Sequence, residues 1–382
     1  MLGEINLLII RLVLVVSALW LAQANLFASQ LYSELALKEN RDNIIISPLA
    51  VRSVLAMLFI AAEGQTRADL KRVLRLHGET KFLSVAEFRK NVNIESKAME
   101  LKIAYRIFLD SKYPIEENFQ ATAEYFLNST AESVDFENTK EVAKVINKFL
   151  EEKTNKKFKD AVQPADISSY TTLFLANGFY FKSKWAKPFK KIGLQRPFYF
   201  TPVAHVPVVM YGKTDELLYG DIPHLSAKGV EIPYKDSNLS MLIILPNHRT
   251  DKLKHWENLL LRMDYRTLNA KFQRTNVHIQ MPRFKISYET GLNSVLQSMG
   301  LKRLYINPDF TSMTRKMGLR LSNLKHKGII EVNSKTDDGS EYSDNELNMN
   351  QLPKDFIVDH QFIFIVKDPV RLYFMGRVLK PQ

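Results

Sequence analysis

The chain contains no cysteine. That excludes thiol catalysis and zinc–thiolate sites, and it leaves packing rather than disulfides to stabilise the fold, even in an oxidising compartment. Also missing are a Gly-x-Ser-x-Gly elbow, a His-Glu-x-x-His helix and a glycine-rich phosphate loop. The eight histidines are scattered and form no metal-ligand spacing. Ser322-Asn-Leu-Lys325 fits a Ser-x-x-Lys pattern, but the partner motifs of that chemistry are absent. An enzyme is therefore the wrong class, and neither a cofactor nor a metal is expected. No Gly/Ser/Pro linker, repeat or composition shift divides the chain, so one domain is expected despite its length.

Residues 1–24 read as a secretory signal. Leu12 to Ala22 is an apolar run of suitable length, and Ala22-Gln23-Ala24 satisfies the small-x-small cleavage rule. The alternative is an uncleaved anchor, but Arg11 interrupts the run from Leu7 and leaves fewer apolar residues than the roughly 20 a spanning helix needs. No later segment is long or apolar enough to span. The expectation is a secreted, extracellular, monomeric protein with one domain over 25–382 and no membrane or nucleic-acid partner.

The net charge of +12 bears on solubility and attraction to polyanions, not on fold. Lysines cluster at 156, 157 and 159 and again at 182, 184, 187, 190 and 191. A glycosaminoglycan or other polyanion is one reading of them; a solvated surface is the plainer one. Sequons occur at Asn128 and Asn238, each a glycan acceptor if the protein is secreted, although two could arise by chance.

Periodicity predicts a helix over Asn25–Asn40, with Phe27, Leu31 and Leu35 on one face, and another over Glu141–Glu152. In the second, Val142, Val145, Ile146, Phe149 and Leu150 form one stripe while Lys144, Asn147 and Lys148 lie opposite. Leu173–Ala176, Met241–Leu245 and Phe362–Val366 read as strands buried on both faces. Helices dominate the first half and strands the second, which predicts an α+β fold.

Residues 326 to 378 carry the most information. A strand-like segment, His326 to Asn333, is followed by about 20 polar, acidic residues and then by apolar runs ending Phe374-Met-Gly-Arg-Val378. Loops longer than about 12–15 residues are uncommon and usually functional or disordered. This one resembles the reactive loop of the serpins, the serine protease inhibitor superfamily. The resemblance covers nearly the whole chain beyond the leader. Asn43 to Pro48 (NIIISP), Gly64-Gln-Thr66, Asn177 to Phe189 (NGFYFKSKWAKPF), Glu231-Ile-Pro-Tyr234, Ser240 to Pro246 (SMLIILP) and Met281 to Ile286 (MPRFKI) match family segments in the family's order. It implies a single α+β domain of three sheets and about eight or nine helices, with an exposed reactive loop at about 334–355.

In that family the loop inserts into a long sheet as a new strand. The resemblance places the sheet's shutter at Ser47, Asn177 and His326 and its breach at Trp185. A hydroxyl, an amide and an imidazole can form a buried hydrogen-bond cluster that rearranges; the plainer reading is satisfied core polar groups. Ala50 departs from the serine many members carry. Family loops place 17 residues between the hinge strand and the cleaved bond; Ser334 begins that count and Asn350 ends it, giving Asn350–Gln351 as the bond. Met349 or Leu352 becomes the recognition residue if the bond is misplaced.

The length is inhibitor-like and the composition is not. Where inhibitors carry small residues, this hinge reads Thr336-Asp337-Asp338-Gly339-Ser340-Glu341. An inserted strand alternates its side chains between faces. One register turns Asp337, Gly339, Glu341 and Ser343 inward; the other turns Asp338, Tyr342, Asp344 and Glu346 inward. Both bury carboxylates, at several kcal/mol each unless paired or protonated. The expectation is a protein of inhibitor lineage whose trapping is weak or lost, acting as a binding, decoy or substrate-like protein. The alternative is an active inhibitor of a serine or cysteine endopeptidase cleaved at Asn350–Gln351. Its target would be an extracellular protease that is not trypsin-like, since no Lys or Arg lies between Thr336 and Pro353.

Overall fold

The apolar periodicities organise the chain. The computed structural model describes residues 26–39, 42–89, 94–249, 253, 257, 271–332 and 352–381. In order, the elements are α1 (26–38), β1 (Ile44–Ile46), α2 (Pro48–Ala61), α3 (Gly64–Val73), α4 (Lys81–Val85), β2 (Ile94–Glu95), β3 (Met99–Asp110), α5 (Glu117–Leu127), β4 (Ala131–Val134) and α6 (Thr139–Lys153). There follow β5 (Leu173–Ser183), β6 (Lys190–Tyr199), β7 (His205–Ile222), β8 (Ala227–Pro233), β9 (Ser240–Pro246), β10 (Gln273–Pro282), β11 (Phe284–Gly291), α7 (Asn293–Ser298), β12 (Leu321–Val332), β13 (Lys354–Ile357), β14 (Phe362–Lys367) and β15 (Leu372–Val378). The fold is α+β.

The helix predicted at Glu141–Glu152 is α6. Val142, Ile146, Phe149 and Leu150 pack against Phe108, Phe158 and Tyr180 on one face of a sheet. The structure begins this helix two residues earlier because the Asn138 side chain accepts from the Glu141 amide and caps it. The predicted stripe of α1 is buried at Phe27, Leu31 and Leu35. The three predicted buried strands fall within β5, β9 and β14.

One sheet has the order β11-β12-β5-β3-β2, with β4 added to β3. The other runs β1-β15-β14-β9-β8-β7-β10-β13, with β6 on β7. The expected three sheets are thus joined into two hydrogen-bonded sets. β7 causes the join: its early residues pair with β6 and most of its length with β10, while Leu218–Ile222 pairs with β8. Between the sheets lies an apolar layer of Phe179, Phe181, Ile330, Phe362, Phe364 and Phe374. The closing segment is tied down at Arg377, whose guanidinium meets the buried Glu257 carboxylate at 2.9 Å. Glu257 also accepts from the Tyr32 hydroxyl of α1 at 2.7 Å.

The predicted leader and the hinge and bond residues of the predicted loop (Thr336, Asp337, Asp338, Gly339, Ser340, Glu341, Asn350 and Gln351) lie outside the described residues. Seven α-helices lie among the described residues, and none there is long and apolar enough to cross a membrane.

Candidate functional site at the seam between β5 and β12

β12 lies directly against β5 in parallel, from Leu321 opposite Leu173 to Glu331 opposite Lys182. β5 carries the long apolar run of a strand covered on both faces, whereas β12 alternates buried with partly exposed residues through much of its length. Phe179, Phe181, Ile330 and Val332 point into the inter-sheet core at 0–4 % exposure. Lys325 and Lys327 point outward, where both pair with Glu289 of β11. No strand separates β5 from β12 among the described residues.

His326 and Asn177 face each other across this seam. The Ser47 amide donates to His326 Nε2 at 3.3 Å, so Nε2 is an acceptor and the ring proton sits on Nδ1. That proton is donated to Asn177 Oδ1 at 2.6 Å. Ser47 Oγ donates to the Tyr373 carbonyl of β15 at 2.9 Å and accepts from the Ala50 amide as the N-cap of α2. Complete burial pulls His326 down from 6.5 to about 3, which keeps it the neutral imidazole that this geometry requires. Asn177 Nδ2 is buried without a hydrogen-bond partner. Phe179 lies 5.7 Å from the imidazole and stacks on Phe374 at 4.3 Å, closing the apolar side of the cluster. The cluster therefore joins β5, β12, α2 and β15. Separating β5 from β12 must break the His326–Asn177 bond.

Trp185 occupies a second place. It stacks on Tyr234 at 4.5 Å and 8°, and packs on Phe189 at 5.6 Å. The Lys213 ammonium lies 5.0 Å from the Phe189 ring, donates to the Lys187 carbonyl and pairs with Asp215 at 2.9 Å. Burial pulls this lysine below its ordinary value, against the opposing pull of Asp215. A small cleft here is lined by Trp185, Phe189, Tyr211, Met281, Arg283 and Val332. Val332 is the last described residue of β12, so the cleft adjoins the end of the described strand. Beyond the loop predicted from the sequence, β13 starts at Lys354 and runs parallel to β10.

The structure thus brings Ser47, Asn177 and His326 into one cluster and holds Trp185 apart from it. Asn128 is exposed at the C-cap of α5, in the left-handed region at φ 49°. Asn238 is exposed in a turn, and Ser240 of its sequon donates to Glu231 at 2.6 Å. Sequence reasoning missed Tyr373, Tyr234, Phe189 and Lys213. Phe374 lay within the quoted closing segment, and Tyr234 within Glu231–Tyr234, but nothing local announced either contact. Tyr373 contributes only a carbonyl, for which side-chain patterns carry no signal.

A six-stranded sheet with β5 and β12 in parallel over a buried Ser–Asn–His cluster, packed on a second, nine-stranded sheet, is serpin architecture. A family model described as serpin (serine protease inhibitor) matches residues 22–381, and the chain belongs to that family. It is 28 % identical to Serine protease inhibitor 42Dd of Drosophila melanogaster over 93 % of this chain and 95 % of the relative. Serpin48 of Tenebrio molitor, described as a highly specific serpin, superposes with a TM-score of 0.84 at 25 % identity, covering 95 % of this chain and 98 % of that one. Uncleaved ovalbumin shares the fold with a TM-score of 0.80 at 23 % identity, over 94 % of this chain and 100 % of that one.

Proposed function

We propose that this serpin is a secreted, non-catalytic protein whose acidic hinge leaves suicide inhibition weak or absent, so that it acts as a binding, decoy or substrate-like protein. Ser47, Asn177 and His326 serve as its shutter and Trp185 marks its breach. One observation carries the reading: the inward face beside the seam is Phe179, Phe181, Ile330 and Val332, all buried and apolar. A loop strand entering there in either register would set carboxylates of Asp337 and Glu341, or of Asp338, Asp344 and Glu346, among those side chains. About 1.4 kcal/mol on the insertion barrier slows it tenfold, so two such groups let hydrolysis of the acyl-enzyme win. An exposed partner of opposite charge is also expected, because the chain carries +12 and a polyanion is the chemistry that fits.

The second reading, an active inhibitor cleaved at Asn350–Gln351, is favoured by the loop count. The kinship with an insect protein named serine protease inhibitor 42Dd is consistent with either. Incubation with a panel of chymotrypsin-like, elastase-like and asparagine-specific proteases separates them on a denaturing gel. Clean cleavage near residue 350 with no covalent adduct is the expected result. An SDS-stable complex in good yield overturns it, and one formed at this loop with a trypsin-like protease would show the bond is misplaced.

A further inference from the structure

We propose that Asn128 carries an N-linked glycan whose first sugar covers an exposed aromatic patch on α4 and α5. The inference rests on the secreted reading above and gives the chain a modification site with a structural task. Phe82 and Leu83 of α4 and Tyr125 of α5 are each 55–56 % exposed. They form one surface. The Phe82 ring stacks on Phe126 at 5.8 Å, and Phe126 meets Tyr125 edge to face at 4.8 Å. The Arg89 guanidinium lies 4.3 Å from the Tyr125 ring. A contiguous exposed apolar surface of this kind marks a place that something covers.

The sequence puts a glycan acceptor at its edge. Asn128-Ser129-Thr130 begins two residues after Phe126. The Asn128 amide still donates to the Glu124 carbonyl at 2.9 Å, which keeps its Cα on the helix surface. Residues three apart are neighbours there, so Asn128 stands beside Tyr125. Its side chain is exposed. The turn that follows is pinned to the fold. Ser129 donates to the Tyr105 carbonyl at 2.7 Å, and the Gln120 side chain bonds the Ala131 amide at 2.8 Å and its carbonyl at 2.7 Å. The attachment point is therefore held in place next to the rings.

The chemistry fits a sugar as the occupant. An aromatic face carries partial negative charge, and one face of a pyranose presents C–H groups of opposite polarity. Its hydroxyls then turn the covered patch into a hydrated surface. Asn238 is the contrast. Its turn is polar at Lys235, Asp236 and Ser237, while Tyr234 and Leu239 are buried, so that turn offers a glycan no aromatic face.

The test uses the full chain expressed in a eukaryotic host and, in parallel, the same chain with residues 1–24 replaced by an established secretory leader. Peptide mass mapping of the secreted protein should find a glycan at Asn128. Asn128→Gln and Thr130→Ala should each remove it. Thr130→Ala keeps the asparagine that tolerates φ 49° and is the variant read for stability. Loss of the glycan should raise binding of the dye ANS, which reports exposed apolar surface, about twofold or more, and should lower Tm. Both effects should vanish when Tyr125 and Phe82 are replaced by Ser, because non-additivity belongs to groups in contact. Asn238→Gln should change neither. Secretion only with the substituted leader sinks the leader reading and leaves the glycan to be judged on that form. Retention of both forms overturns the secreted reading and the site with it. Secreted protein that is bare at Asn128 overturns the site alone. A glycan whose removal leaves ANS binding and Tm unchanged, or shifts them equally with and without the two rings, overturns its task as a cover.

Discussion

His326 shows how much chemistry a single buried ring imposes. Its Nε2 must accept from Ser47 and its Nδ1 must donate to Asn177, so only one neutral tautomer satisfies both neighbours. The folded-state pKa is depressed to about 3, below the ordinary 6.5 of an unfolded chain. Its contribution is then fully present above about pH 6.5 and is lost as pH falls toward 3, because only the unfolded chain takes up the proton. The loss is up to about 1.4 kcal/mol per pH unit in that window. Urea denaturation near pH 7.5 and near pH 5 should show the wild type losing more stability than His326→Gln does. Equal losses in the two proteins would mean that the ring is not held neutral. Asn177→Ala leaves the Nδ1 proton without a partner and should cost about 1–3 kcal/mol at neutral pH, read from the denaturation midpoint.

At the scale of elements, the seam is sealed by glycines as well as by hydrogen bonds. A Cβ on Gly328 of β12 would sit 2.4 Å from a Phe179 ring atom, and one on Gly178 of β5 would sit 2.2 Å from Phe158. Both aromatic rings occupy the space a side chain would need. Gly328→Ala should therefore destabilise the protein by about 1–3 kcal/mol through overpacking, seen as a lower urea midpoint at an unchanged slope. No loss of stability would show that Phe179 can move aside, and with it the stack on Phe374. Elements with strong periodicity were legible beforehand: α6 and the cores of β5, β9 and β14 emerge from apolar spacing alone. Their joining was not. Continuity of two sheets through β7 depends on which partners its successive segments find, and pairing between distant strands leaves no local pattern.

For the whole molecule, the decisive quantity is the gain on inserting the loop into the seam. If the acidic hinge blocks insertion, cutting the protein near Asn350 should leave Tm almost unchanged. Replacing Asp337, Gly339 and Glu341 together with Thr, Ala and Ala removes the inward charges of one register and should restore part of the rise on cleavage. Lower pH should move the wild type the same way, because a protonated carboxyl is cheaper to bury than an ionised one; cleaved and intact forms are compared at each pH so that the His326 contribution cancels. A large rise in Tm on cleaving the unmodified chain at neutral pH would refute the decoy reading.

The sequence by itself determined the absence of thiol chemistry, the α+β composition, the buried strands and the acid content of residues 336 to 346, because each follows from residue type and near-neighbour spacing. The serpin segments, recognised in order, pointed to Ser47, Asn177 and His326, yet not to how they bond. Only the tertiary structure decided that. His326 meets Asn177 across 149 residues of sequence and Ser47 across 279, and the carbonyl that completes the cluster belongs to Tyr373, whose side chain gives no hint of it. Long-range hydrogen bonding, not local propensity, sets which backbones become neighbours across those separations.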